Sequence, residues 1–253
     1  MEYGVQTYTL RMYMQTEKDI AHSLKAIADM GYRNVQISGI GSITPFKLRA
    51  LCDERNLRIV LTHSPEARII ADTEALIAEH KILGCRYIGL GAMSEKYRSE
   101  AWIDRFAADF TTPAQKIADA GMRFMYHQHN FEFERLANGQ TLMERLLEQM
   151  PTELMGVTAD TYWLQAGGVD VCAWLKKHRD RLQCVHLKDM AVHGFEPRMA
   201  AVGQGNLNFP AILQELCHNG VTEYALVEQD DCYGQSAFEC LRKSLLYLQE
   251  VRG

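Results

Sequence analysis

The chain lacks several features that would direct a functional reading elsewhere. It has no CxxC pair: its seven cysteines, Cys52, Cys85, Cys172, Cys184, Cys217, Cys232 and Cys240, are scattered and odd in number. That pattern suggests neither a disulfide framework nor a thiolate zinc site and leaves reduced, mostly core residues. No stretch approaches the roughly 18 consecutive apolar residues of a membrane span, and the opening MEYGVQTYTLRMYM has no basic segment leading into an apolar run. A cytoplasmic location and no membrane partner are therefore expected. Positive charge is in deficit, with 27 Lys and Arg against 32 Asp and Glu and a formal net charge of −5. No global basic surface is left to grip a phosphate backbone, so no nucleic-acid partner is expected. Proline is sparse, at six residues, and no linker or charge block divides the 253 residues. The expectation is one domain, 1–253, since barrels of about 250 residues commonly form a single domain.

What is present is a recurring joint. ADMGYRNVQI, KILGCRYIGL, ADAGMRFMYH and CHNGVTEYALVE each run from a helical pattern through a glycine into a short apolar run, and RNLRIVL offers Asn56 in the same role. Gly or Asn just past a helix suits the left-handed C′ position, so each joint reads as helix, cap, strand. By this rule strands are expected at 4–8, 34–38, 58–62, 87–90, 123–127, 156–160, 183–187 and 224–228. Helices are expected near 16–30, 45–55, 72–83, 100–120, 140–149, 170–179, 209–219 and 236–250. Eight alternations predict an α/β fold, a single-domain (β/α)8 TIM barrel, with an open doubly wound sheet sharing the same periodicity.

A barrel gathers its reactive side chains at the C-terminal ends of the strands. Those ends carry Gln6 and Tyr8, Gln36 and Ser38, His63, His127 with His129 and Glu132, Asp160, His186 with Lys188, and Glu228. The decapeptide FMYHQHNFEF, 124–133, is the densest of these, and on a strand His127 and His129 share one face. Asp160, His186, Glu228 and one ligand from 127–132 form a mixed oxygen and nitrogen set for one divalent cation. Such a set suits Mn²⁺, Mg²⁺, Co²⁺ or Zn²⁺ without choosing among them.

YHQHNFEF, DTYWLQAGGVD, VHLKD, AVGQGNLNF and ALVEQDD, in this order after the opening GVQTYTLR, resemble the xylose isomerase-like TIM barrels. That group includes sugar phosphate isomerases/epimerases and shares a superfamily with AP endonuclease family 2; the resemblance covers nearly the whole chain. It implies a divalent cation, Mn²⁺ first, held by residues from four strands. It also implies isomerase or epimerase chemistry on a sugar or keto-sugar, a 3-keto-glycoside or a sugar phosphate among the candidates, by proton transfer α to a carbonyl through a metal-bound enediolate.

Carried onto this chain, the metal ligands are Asp160, His186 and Glu228, with Glu132 expected as the first ligand and an imidazole from 127 or 129 as the alternative. Glu228, His129 and His127 are the expected proton-transfer groups. Lys188, His63, Asn130, Gln6 and Trp163 are the expected substrate-binding residues. The partner is a small carbohydrate, and the exposed helices of this group often mediate homo-oligomers. AVGQGNLNF, with Gly203 and Gly205, lacks the Lys and Ser/Thr pattern of a phosphate loop. Two competing readings keep the barrel: a metal-dependent keto-sugar lyase or dehydratase, and an AP endonuclease-like phosphodiesterase, which would need three zinc ions and a basic groove.

Overall fold

The computed structural model describes residues 1–252. Eight parallel strands close into a ring: β1 (Glu2–Gln6), β2 (Asn34–Ile37), β3 (Arg58–His63), β4 (Tyr87–Leu90), β5 (Arg123–His127), β6 (Met155–Asp160), β7 (Cys184–Leu187) and, after an antiparallel hairpin, β10 (Tyr224–Val227). The hairpin strands are β8 (Asp189–His193) and β9 (Glu196–Ala200). Around the ring the order is β1, β10, β7, β6, β5, β4, β3, β2, and β1 closes it by pairing with both β10 and β2. Closure decides for the TIM barrel over the open sheet.

The helices are α1 (Glu17–Met30), α2 (Pro45–Asp53), α3 (Glu66–Ala71), α4 (Thr73–Leu83), α5 (Ile103–Asp119), α6 (Leu142–Gln149), α7 (Thr161–Ala166), α8 (Val171–Lys177), α9 (Phe209–His218) and α10 (Ala237–Arg252). Their ends follow local chemistry. Thr16 caps α1 through the Asp19 N–H, and Thr141 with Glu144 forms a full capping box on α6. Gly31 after α1 sits at φ 109° and Asn56 after α2 at φ 52°, the left-handed positions that the joints in the sequence require. The hairpin and the short helices α3 and α7 are additions to the expected element list.

The main hydrophobic core lies between strands and helices, where Phe106, Phe110, Tyr97, Phe124 and Tyr126 pack in stacked and edge-on contacts under α5. A second apolar cluster contains Leu61, Met125, Cys184 and Leu226. Each of these precedes by two residues a polar residue of the rim: His63, His127, His186 and Glu228. Side chains two apart on a strand share a face, so the apolar set forms a floor and the polar set sits one layer above it.

Candidate metal centre

Four side chains converge on that upper layer. His127, Asp160, His186 and Glu228 are all buried, and each offers a ligand atom within 4.8 Å of every other. They stand on β5, β6, β7 and the end of β10, four neighbouring staves of the ring. Among the described residues this is the one group of its kind.

Both imidazoles are tied from behind. His127 Nδ1 lies 2.8 Å from the Gly91 carbonyl oxygen and donates to it, which turns Nε2 toward Asp160 Oδ2 at 3.4 Å. His186 Nε2 donates to Gln36 Oε1 at 2.7 Å, which turns Nδ1 toward Glu228 Oε2 at 3.0 Å and Asp160 Oδ2 at 3.8 Å. Neither His186 Nδ1 nor Glu228 Oε2 makes a hydrogen bond of acceptable geometry, although both atoms are buried. Lone pairs facing carboxylate oxygens repel unless a cation lies between them. Burial works against an imidazolium at His186, but Glu228 and Asp160 outweigh it and push the ring up to about 9. A proton and a metal ion thus compete for the same nitrogen. Outer-nitrogen hydrogen bonds of this kind orient metal-binding histidines.

Lys188 completes the electrostatics. Its buried Nζ lies 2.9 Å from Glu228 Oε2, 3.1 Å from Asp160 Oδ2 and 3.1 Å from both oxygens of Asp230. Burial disfavours the ammonium, yet Asp160 and Glu228 hold its pKa above the usual lysine range. Burial likewise opposes both carboxylates, and Lys188, aided by His127 at Asp160 and by His186 at Glu228, brings them well below the usual range. With His186 neutral, three carboxylates against one ammonium leave two negative charges uncompensated, the deficit that one divalent cation fills when it takes the place of the His186 proton. Donor set, lone-pair directions and charge therefore all fit a divalent metal.

Glu132, the ligand expected from the β5 segment, is not in this group. A 3-10 turn, Phe131–Phe133, folds it back under the strand, where its buried carboxylate accepts from Tyr126 Oη at 2.5 Å and from the His129 N–H at 2.8 Å. Burial raises its pKa to about 7 despite those donors. The alternative, an imidazole from the same segment, is what the structure brings together with Asp160, His186 and Glu228.

The group opens onto a cavity of about 520 Å³ lined by Gln6, Tyr8, Ser38, His63, His129, Lys188, Glu228 and Asp230, among others. His63 stacks on His127 with ring centroids 5.3 Å apart and lies within reach of Ser38 Oγ and Gln6 Nε2 through Nδ1. Burial, then His127 and His186, holds its pKa well below the ordinary value. His129 packs edge-on against His127, and burial followed by His127 lowers it to about 3, so its ring is neutral. Trp163 stands behind His129 and Lys188 without reaching the cavity lining. Asn130, expected to bind substrate, is exposed and lies outside the lining.

Two supporting residues escaped the sequence reading. Gln128, fully buried, uses Oε1 to accept the Asp160 N–H at 2.7 Å and Nε2 to donate to the Asp160 carbonyl at 3.1 Å. This carries the β5–β6 ladder past its last backbone pair, His127 with Thr158, and fixes the ligand's backbone. Asp160 Oδ1 is then free to cap α7 through the Trp163 N–H. Asp189 accepts the backbone N–H groups of Met190, Gly203, Gly205 and Leu207. A Cβ at Gly205 would lie 2.4 Å from Asp189 Oδ1, so the glycines of AVGQGNLNF serve to wrap this chain's own carboxylate.

A closed barrel with a buried His, Asp, His, Glu cluster at its C-terminal rim defines a class of metal-site α/β enzymes. The xylose isomerase-like TIM barrel family model matches residues 24–250, and the chain belongs to that family. The crystal structure of a sugar phosphate isomerase/epimerase from Parabacteroides distasonis ATCC 8503 superposes with a TM-score of 0.81 at 22% identity, covering 99% of this chain and 98% of that one. A structure of L-ribulose 3-epimerase gives a TM-score of 0.77 at 14% identity, covering 99% and 94%. Among curated proteins, the inosose dehydratase of Clostridium beijerinckii (strain ATCC 51743 / NCIMB 8052) is 26% identical over 177 residues, 62% of this chain. That match spans 57% of the dehydratase, little more than half its length.

Proposed function

We propose that this chain is a divalent-metal-dependent isomerase or epimerase that moves a proton α to a carbonyl of a sugar or keto-sugar. The observation that carries this reading is the convergence of two back-tied imidazoles and two carboxylates beside a cavity that also holds Lys188. His127, Asp160, His186 and Glu228 hold the metal. Two imidazoles with two carboxylates suit Mn²⁺, our first choice, and Zn²⁺ or Co²⁺ better than Mg²⁺. Bound there, a divalent cation polarises a carbonyl and acidifies the neighbouring C–H.

The chain's own groups divide the remaining work. Lys188, with its ammonium fixed by three carboxylates, faces the cavity and donates to a substrate oxygen as negative charge builds on it. Glu228 reaches both the ligand group and the cavity and takes and returns the proton. His129 and His63 are kept neutral by burial and hold substrate hydroxyls without adding charge. His127, with one nitrogen on Gly91 and the other on the metal side, is a ligand and not a proton carrier. The apolar floor of Leu61, Met125, Cys184 and Leu226 excludes water from below.

Mn²⁺-loaded protein incubated with ketoses in D₂O is expected to place deuterium on the carbon next to the carbonyl, read by mass spectrometry. The exchange should vanish with EDTA and fall at least 100-fold in Glu228→Gln. Absence of exchange across the panel with metal bound would overturn the reading. A second reading is favoured by the inosose dehydratase relative: the same carbanion expels a β-hydroxyl, which would appear as loss of water from the deuterated substrate.

A further inference from the structure

We infer that Cys232 and Cys240 form a redox-active pair, a site of reversible oxidation to a disulfide that restrains the loop holding Asp230 against Lys188. The inference goes beyond the proposed reaction and does not depend on it. Placement is the first argument. The chain leaves β10 at Val227, runs through a loop and enters α10 at Ala237. Tyr233 at φ 48° and Gly234 at φ 80° reverse its direction in the left-handed region, and the Gln235 N–H closes the turn on the Cys232 carbonyl at 2.9 Å. The return brings Cys232 onto Cys240 near the start of α10, where the two thiols hydrogen-bond to each other.

Reactivity is the second argument. Cys232 is half-buried and lines a surface cavity of about 360 Å³ together with Arg11, Tyr13, Asp231 and Gln235, so a small oxidant reaches the pair. Cys240 lies buried behind it. The hydrogen bond from Cys232 brings the Cys240 thiol down to about 7, with burial opposing and Lys243 assisting. A thiolate is therefore available near neutral pH. A hydroperoxide supplies the oxidising equivalents. The Cys240 sulfur attacks a peroxide oxygen, the O–O bond breaks, hydroxide leaves, and a sulfenic acid forms. The Cys232 sulfur then attacks the Cys240 sulfur: the S–S bond forms, the S–O bond breaks, and the departing hydroxide takes the Cys232 proton as water.

The third argument is what the loop holds. The Gln229 N–H donates to Thr9 Oγ1 at 3.0 Å, the Asp230 carbonyl accepts from Arg11 at 2.9 Å, and both Asp230 carboxylate oxygens lie 3.1 Å from Lys188 Nζ. Tyr233 Oη accepts the Met199 N–H of β9. Sulfur atoms in a disulfide stand about 2.0 Å apart, closer than hydrogen-bonded thiols. Closure therefore draws Cys232 toward α10 and ties down the segment that carries Asp230, two residues upstream.

Mn²⁺-loaded protein treated with a small excess of hydrogen peroxide and then alkylated is expected to lose two of its seven free thiols. Cleavage after glutamate should release residues 229–239 joined to 240–250, a link that dithiothreitol breaks. Amide hydrogen exchange across 229–236 should slow at least threefold on oxidation and recover with dithiothreitol. Cys232→Ser should leave a sulfenic acid at Cys240 that dimedone traps, and Cys240→Ser should form no bridge. Seven thiols surviving the peroxide, oxidation confined to the exposed Cys217, a bridge through another cysteine, or a 232–240 bridge with unchanged exchange overturns the inference.

Discussion

His127 and His129 lie two residues apart, and the strand pattern puts both on one face, yet the structure gives them different surroundings. His127 has a backbone carbonyl behind it and Asp160 in front; His129 has aromatic rings around it and one ring nitrogen without a partner. The strand-end positions of Asp160, His186 and Glu228 were legible in the sequence because alternation fixes which residues face inward. The choice between Glu132 and His127 was not legible, because it depends on a 3-10 turn that sends the carboxylate to Tyr126. The resulting ligand assignment has a sharp test. After stripping and reloading with Mn²⁺, Glu132→Gln is expected to retain about one equivalent by elemental analysis. Asp160→Asn and His127→Ala should bind at least tenfold more weakly. Retention by those two with loss in Glu132→Gln would restore the original expectation.

Between elements, one side chain takes over where backbone pairing stops. Gln128 bonds both polar groups of the Asp160 backbone, so Gln128→Leu would leave a buried N–H and a buried C=O without partners. That costs about 2–4 kcal/mol at typical values, read as a lowered urea midpoint, and should weaken Mn²⁺ binding about 10-fold or more through the displaced ligand. Glutamine in the middle of YHQHNF signals nothing in sequence because only the neighbouring strand reveals its partner. On α4, His80 donates through Nδ1 to the Leu76 carbonyl and accepts the Thr62 hydroxyl at Nε2. Burial lowers its pKa, so as pH falls through about 6.5 the unfolded chain takes up the proton first and stability is lost. Between pH 7 and pH 5, His80→Gln should therefore show a flatter decline in urea midpoint than the parent. The hairpin β8–β9 was hidden for a related reason. Its strands are five residues each, half-exposed or exposed beyond Asp189, and are anchored by the acceptor bonds of Asp189 rather than by an apolar stripe.

Across the whole molecule, the alternation of helices and strands was legible from the glycine and asparagine joints, but closure was not, since it rests on pairings such as Glu2 with Tyr224 and Val5 with Val227 that join the first strand to the last. A metal held by β5, β6, β7 and β10 ties together four staves contributed by residues 127–228. Mass action at 100 times Kd then adds about 2.7 kcal/mol, which for a chain of this size raises Tm by roughly 5–10 °C. Calorimetry with Mn²⁺ and then excess EDTA should show that rise and its reversal, and an unchanged Tm would refute metal binding at this site. The same four staves have a further consequence. The cavity's other wall comes from the ends of β1 and β3 and the segments after β1, β2, β3 and β4, which supply Gln6, Tyr8, Ser38, His63, Glu66 and Ser94 and none of the ligand group. The ligand group thus lies on one side of the barrel, and the other side meets it through the Gly91 and Gln36 contacts that orient His127 and His186. Exchanging the loops after β1 to β4 for those of a relative should therefore change which ligand the cavity accepts while Mn²⁺ binding persists only where Gln36 and the Gly91 carbonyl are kept.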